Sequence, residues 1–171
     1  MPGFGEVPRG DSLIAQIRAE RLGEYTFCLY PELWTTPRIV EYYHGRTWTE
    51  TRFIDPPPID IPTQSGIYMF VVAPRCANLQ DHSYIFYVGQ TKNLKRRYRE
   101  YLQAQQGKGS SPREKVVMFL HNFRDYVYFH FTLVPESELN EAESLLNNSL
   151  TPPANTRLEI RGRLTPISKS L

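Results

Sequence analysis

Residues Asp55 to Pro62 read Asp-Pro-Pro-Pro-Ile-Asp-Ile-Pro, four prolines in eight residues. Proline fixes φ and has no backbone N–H to donate, so this run fits neither a central strand nor a helix interior. It reads as a stiff connector. It divides the 171 residues into an N-terminal extension (1–64), a domain (65–155) and a basic tail (156–171). The length suits one domain with appendages and is enough to bury a core.

Beyond the connector the periodicity is clear. Ile67 to Val72 is expected as a strand, residues 73–83 as a polar hairpin loop and Tyr84 to Val88 as the returning strand. Asn93 is placed to cap a helix running to about residue 105, with Leu94, Tyr98, Tyr101 and Leu102 at helical spacing. A Gly-containing loop (105–112) leads to Pro112, suited to opening a second helix with Val116, Val117, Phe119, Leu120 and Phe123 inward. Tyr126 to Val134 alternates, with Val127, Phe129, Phe131 and Leu133 on one side, and so predicts a half-buried strand. Ser137 is expected to cap a last helix, with Leu139, Ala142, Leu145, Leu146 and Leu150 inward, and Pro152-Pro153 stops it. The order is β-β-α-α-β-α. That predicts an α+β fold in which a three-stranded antiparallel sheet is flanked by helices.

Upstream, residues 11–23 predict a short helix and Tyr25 to Tyr30 a strand. Ile39 to Tyr43 and Thr47 to Phe53 flank His44-Gly45 and predict a β-hairpin. The N-terminal extension is thus expected to hold a helix and a hairpin.

The net charge is only +2, but it is unevenly placed. Residues 92–115 carry Lys92, Lys95, Arg96, Arg97, Arg99, Lys108, Arg113 and Lys115 against Glu100 and Glu114. Arg157, Arg161, Arg163 and Lys169 make the tail basic, whereas residues 136–143 hold only glutamates among their charged groups. A basic face beside an acidic helix suits a polyanion with a carboxylate nearby. Cys28 and Cys76 have neither disulfide-framework nor zinc spacing, and no apolar run reaches the roughly 18 residues of a membrane span. The N-terminus lacks a signal peptide's apolar stretch, so the expected compartment is the cytoplasm. The four histidines have no zinc spacing, and no phosphate-cradling glycine loop is present.

Gly66-Ile67-Tyr68 and Tyr87-Val88-Gly89, followed by Asn93-Leu94-Lys95-Arg96-Arg97, resemble the GIY-YIG nucleases, a family of repair incision nucleases, homing endonucleases and some restriction enzymes. The resemblance spans residues 66–155. It implies a three-stranded antiparallel sheet flanked by helices. It also matches Tyr68 and Tyr87 to the paired family tyrosines, Arg97 to the catalytic arginine, Tyr101 to a position that carries His or Tyr, and Glu143 and Asn155 to the helix-and-exit motif.

The chemistry of these residue types agrees with that assignment. Arg97 carries a permanent forked charge that can stabilise charge growing on a phosphate. Tyr101, four residues on, shares its helix face and can position water or phosphate. Tyr68 and Tyr87, on neighbouring strands, supply phenols, one to take a proton from the attacking water and the other to orient it; Lys92 and Arg97 are the cations expected to lower their pKa. Glu143 is the expected metal ligand, and a single carboxylate with phosphate oxygens and water suits Mg²⁺ (or Mn²⁺). Gly66 and Gly89 are expected to permit close backbone approach near the phosphate, and Asn155 to hold the loop after the last helix. Thr91, Lys92, Lys95, Arg96, Arg99, Lys108 and Arg113 are the expected nucleic-acid contacts, with helix capping as the alternative for Thr91.

The sequence therefore predicts a Mg-dependent DNA endonuclease of restriction or phage type acting on double-stranded DNA. Specificity would come from the extension, the loops, the tail or a homodimer. The alternatives are a non-catalytic DNA- or RNA-binding protein on a nuclease scaffold and an RNA-processing nuclease.

Overall fold

A computed structural model describes residues 31–75, 82–108 and 113–155. The expected helix 11–23, the strand Tyr25–Tyr30, the tail, Cys28, Cys76, Pro112 and parts of both loops lie outside the described residues.

The described elements run α1 (Pro31–Trp34), α2 (Pro37–Tyr43), β1 (Thr49–Arg52), β2 (Gly66–Val72), β3 (Tyr84–Thr91), α3 (Leu94–Gln105), α4 (Glu114–Asn122), β4 (Val127–Leu133) and α5 (Leu139–Leu150), with a 3₁₀ turn at Glu136–Glu138. From β2 onward this is the β-β-α-α-β-α order. The fold is α+β, and every strand pair is antiparallel.

Among the described residues the sheet has four strands rather than three, in the order β1-β4-β2-β3. β1 comes from the extension and pairs with β4, Thr51 opposite Phe129. Phe53 and Ile61 are buried in the same core as Tyr68 and Phe129. The described part of the extension is thus built into the sheet.

The expected hairpin is replaced by helix α2 and strand β1. Pro37 sits in the first turn of α2, and Ile39 and Tyr42 are its buried residues. Their spacing of three is helical, and packing on the sheet overrides the β-branched composition of Ile39-Val40. Ser137 lies in the 3₁₀ turn, and Glu138 occupies the N-cap position of α5 without a side-chain cap. Leu133, expected inward, is 48% exposed, while Val134 takes the buried place.

Helices cover both faces. On one, α3 and α4 bury Leu94, Tyr98, Tyr101, Val116, Phe119 and Leu120 against Tyr68, Phe70, Tyr87 and Phe129. On the other, α2 and α5 bury Ile39, Tyr42, Leu139, Ala142 and Leu146 against Ile67, Met69, Val71 and Val88. The two apolar sets alternate along β2, as a strand buried on both faces requires.

The β2–β3 register shifts once. Phe70 pairs with Tyr87 and Val71 with Ile85, leaving Phe86 unmatched. A bulge of this kind re-aims side chains, and here both Phe86 and Tyr87 enter the core around Tyr68.

The proline connector is pinned to α3. The Tyr98 hydroxyl accepts from the Ile54 amide (3.0 Å) and donates to the Ile54 carbonyl (2.8 Å). The carbonyls of Gln64 and Pro62 accept from the amides of Leu94 (3.1 Å) and Lys95 (2.8 Å), and Asn93 Oδ1 accepts from Arg96 N (2.8 Å). The first amides of α3, which a helix start leaves unpaired, are therefore satisfied within the protein.

Candidate active site

Three tyrosines meet on the α3 face of the sheet. Tyr68 on β2, Tyr87 on β3 and Tyr101 on α3 have ring centroids 5.9 Å (68–87), 6.1 Å (68–101) and 6.3 Å (87–101) apart. Hydrogen bonds link their hydroxyls. Tyr68 and Tyr87 are both 1% exposed.

Gly89 makes the cluster possible. It lies directly across from Tyr68, and a Cβ there would fall 2.6 Å from the Tyr68 hydroxyl and 2.8 Å from Tyr87 Cε1. Gly66 has a different reason. Its Cβ would meet the Thr132 carbonyl at 2.3 Å and Leu94 Cδ1 at 2.9 Å, so β4 and α3, rather than a phosphate, are what approach it.

Arg97 enters from the first turn of α3, one turn before Tyr101. One of its amino nitrogens pairs with Glu100 at 2.9 Å. Its Nε is buried without a hydrogen-bond partner, a donor left over for a ligand oxygen.

Glu143 comes from α5, on the opposite face of the sheet. Gln90 bonds its carboxylate and also donates to Asn140 Oδ1 at 2.6 Å. Gln90 follows Val88 on the α5-facing side of β3, so the carboxylate is held on that side of the strand. Both Arg97 and Arg113 act on Glu143 electrostatically, and the guanidinium of Arg113 lies 5.2 Å from the centroid of the Tyr87 ring. The arginines that act on the phenols of one face thus also act on a carboxylate of the other.

Burial governs the titration. It pushes the Tyr68 hydroxyl well above its usual range, with Tyr101 and Tyr87 adding to the rise and Arg97 opposing it. Tyr87 is also raised, by burial and then Tyr101, with Arg113 opposing. The expected depression of these phenols by Lys92 and Arg97 is therefore outweighed. Lys92 is turned to Glu136, at 2.7 Å. Burial likewise raises Glu143, against its bond from Gln90 and the fields of Arg113 and Arg97.

Asn155 lies against the backbone of β3. Its Oδ1 accepts from Val88 N (2.8 Å) and its Nδ2 donates to Val88 O (2.6 Å), while Ala154 N reaches Phe86 O at 3.0 Å. The loop after α5 thereby closes part of the open edge of β3.

The residues expected at the nucleic acid divide. Thr91 turns inward, 5% exposed, and its hydroxyl accepts from Asn93 N and donates to Asn93 O, both at 3.1 Å. It shapes the turn before α3 and is not a surface contact. Lys95 pairs with Asp60 at 2.7 Å and Arg96 with Glu100 at 3.4 Å. Arg96, Arg99 and Lys108 are exposed.

Two site features were not read from the sequence. One is Gln90, whose signal is a polar residue at an inward strand position. The other is the approach of Arg113 to Tyr87, which depends on how α4 packs.

A divalent cation fits the donors present. Among the described residues no three His, Cys, Asp or Glu side chains come together, so these residues do not build a full cage. Glu143 is a half-buried carboxylate whose burial is only partly compensated. One such oxygen donor suits an ion that keeps much of its water and shares a phosphate, as Mg²⁺ does.

No family model matches the chain, and no curated protein matches it. Among solved structures it is similar to the crystal structure of the GIY-YIG N-terminal endonuclease domain of UvrC from Thermotoga maritima, a point mutant bound to its catalytic divalent cation. The identity is 22% and the TM-score 0.38, over 54% of this chain and 83% of that one. No helix among the described residues is long and apolar enough to cross a membrane.

Proposed function

We propose that the protein is a divalent-metal-dependent DNA endonuclease of restriction or phage type that hydrolyses phosphodiester bonds. The observation that carries this reading is the packing of Tyr68, Tyr87 and Tyr101, from β2, β3 and α3, into one cluster, with Arg97 acting on both Tyr68 and Glu143.

In this reading the scissile phosphate lies against Arg97, whose fork and partnerless Nε suit oxygens that gain charge as phosphorus becomes five-coordinate. The linked hydroxyls of Tyr68, Tyr87 and Tyr101 orient the attacking water in line. One phenol of the pair takes its proton. Because burial keeps both phenols neutral at ordinary pH, the base form is scarce and its supply limits the rate. Glu143 would hold Mg²⁺ or Mn²⁺, which when bound neutralises phosphate charge and stabilises the leaving 3′ oxygen. The products are a 5′ phosphate and a 3′ hydroxyl. Lys95, Arg96, Arg99 and Lys108 supply backbone contacts to double-stranded DNA.

The deep burial of Tyr68 and Tyr87 favours a second reading, a non-catalytic nucleic-acid-binding protein on this scaffold, since buried tyrosines are also plain core residues. Incubation with plasmid DNA and with RNA, in Mg²⁺ or Mn²⁺ and beside Glu143→Gln, separates the two. The nuclease reading expects DNA cleavage that the variant loses. Tight binding with no cleavage of either nucleic acid sinks it, and cleavage of RNA alone replaces DNA as the substrate.

A further inference from the structure

We propose that Arg113 is a positioning residue of the active site, acting through Tyr87 from the start of α4, and not merely one more cation along the DNA backbone. The inference rests on the nuclease reading and deepens it.

Three observations carry it. The first is placement. The Arg113 guanidinium lies over the face of the Tyr87 ring, 5.2 Å from its centroid, inside the roughly 6 Å at which a cation is attracted to an aromatic face. The second is anchorage. Arg113 is the N-cap residue of α4, and its carbonyl accepts from the amides of Val116 (3.0 Å) and Val117 (3.2 Å). Val116 is fully buried, as is Leu120 one turn on. The backbone that carries Arg113 is therefore fixed to the core, which a positioning residue needs.

The third is the charge pattern. Arg97 acts on Tyr68 and on Glu143, and Arg113 acts on Tyr87 and on Glu143. Each phenol of the pair is thus acted on by its own guanidinium, and both guanidiniums act on the carboxylate. A cation over the Tyr87 ring favours its phenolate and fixes the ring's tilt toward the water. It leaves Tyr87 less unfavourable as a base than burial alone would make it. Arg113 makes and breaks no bond in this role.

A backbone contact and a positioning residue differ in which constant they move. For Arg113→Gln the proposal expects kcat to fall about tenfold or more, the size of a partly desolvated cation–π contact. The dissociation constant for uncleaved duplex, measured without divalent metal, should stay within about twofold, with an unchanged salt slope. Arg113→Lys, which keeps a cation able to lie over the ring, should recover part of kcat. Arg124→Gln, a charge loss at an exposed site paired with Asp125, is the control. Thermal melts confirm that each variant is folded.

Weaker duplex binding, with the salt slope reduced by about one and kcat at saturation unchanged, makes Arg113 a phosphate contact and overturns the proposal. Cleavage by the wild-type chain with equal kcat in Arg113→Gln overturns it alone. A wild-type chain that binds DNA and never cuts overturns the nuclease reading and the role of Arg113 together.

Discussion

The hydroxyl of Tyr68 occupies the space in which a side chain at Gly89 would begin. The two residues are paired across β2 and β3, and a Cβ on Gly89 would stand 2.6 Å from that oxygen. Gly89→Ala must displace a phenol that is itself wedged between Tyr87 and Tyr101. The expected outcome is a stability loss of about 1–3 kcal/mol from overpacking, read as a lower urea midpoint, with a larger fall in cleavage than in DNA binding. A variant that cuts normally would show that the tyrosine geometry is not what the glycine protects.

Asn155 acts as a stand-in for the next strand, giving Val88 both of its missing backbone partners. Asn155→Ala should leave a buried N–H and C=O unpaired, at about 1–3 kcal/mol. Asn155→Asp should not rescue it, since a carboxylate oxygen would then face the Val88 carbonyl. Urea denaturation of both variants checks this, and full stability in either argues that the loop is held by other contacts.

Glu143 is raised by burial above its ordinary value of 4.5. For such a group the associated stability is fully present below the unfolded value and is lost as pH rises through the higher folded one. At pH 7 the ionised carboxylate is therefore a liability of the metal-free fold. Glu143→Gln should melt at or above the wild-type temperature without metal while losing cleavage. Mg²⁺ should stabilise the wild type, by roughly 2.7 kcal/mol at a hundredfold excess over its dissociation constant, and should leave the variant unmoved. Equal shifts in both proteins would place the ion elsewhere.

The tyrosines set the other end of the pH range. Tyr68 and Tyr87 both titrate above the ordinary value of 10.0, so their contribution to stability is complete below that pH and declines as pH rises through the folded values. If one of them is the base, cleavage should climb with about unit slope from pH 7 to 9, without levelling off. A plateau near neutrality would assign the proton to another group.

Much of the domain is legible in the chain. Helix α3 is foreseen from Asn93 and the spacing of Leu94, Tyr98, Tyr101 and Leu102, and α5 from Leu139, Ala142 and Leu146, because local caps and a 3.6-residue period are written in the sequence. Ile39 to Tyr43 is expected as a strand because Ile39 and Val40 have strand-forming side chains, and only the sheet beneath Ile39 and Tyr42 makes the segment helical. β1 is foreseen as a strand but not as a partner of β4, since pairing across 74 intervening residues leaves no local signal.

The same division runs through the site. Residue types and their order are written in the chain: two phenols on adjoining strands, an arginine and a tyrosine one helical turn apart, and a glutamate 12 residues before an asparagine. These follow from short-range spacing. Tertiary structure decides that the phenols are buried and therefore hard to ionise, that Thr91 faces inward, that Gln90 holds Glu143, and that Arg113 lies over Tyr87. Each of these depends on how separate elements pack around the edge of β3, because burial and the fields of distant charges are properties of the packed molecule and of no local stretch of chain.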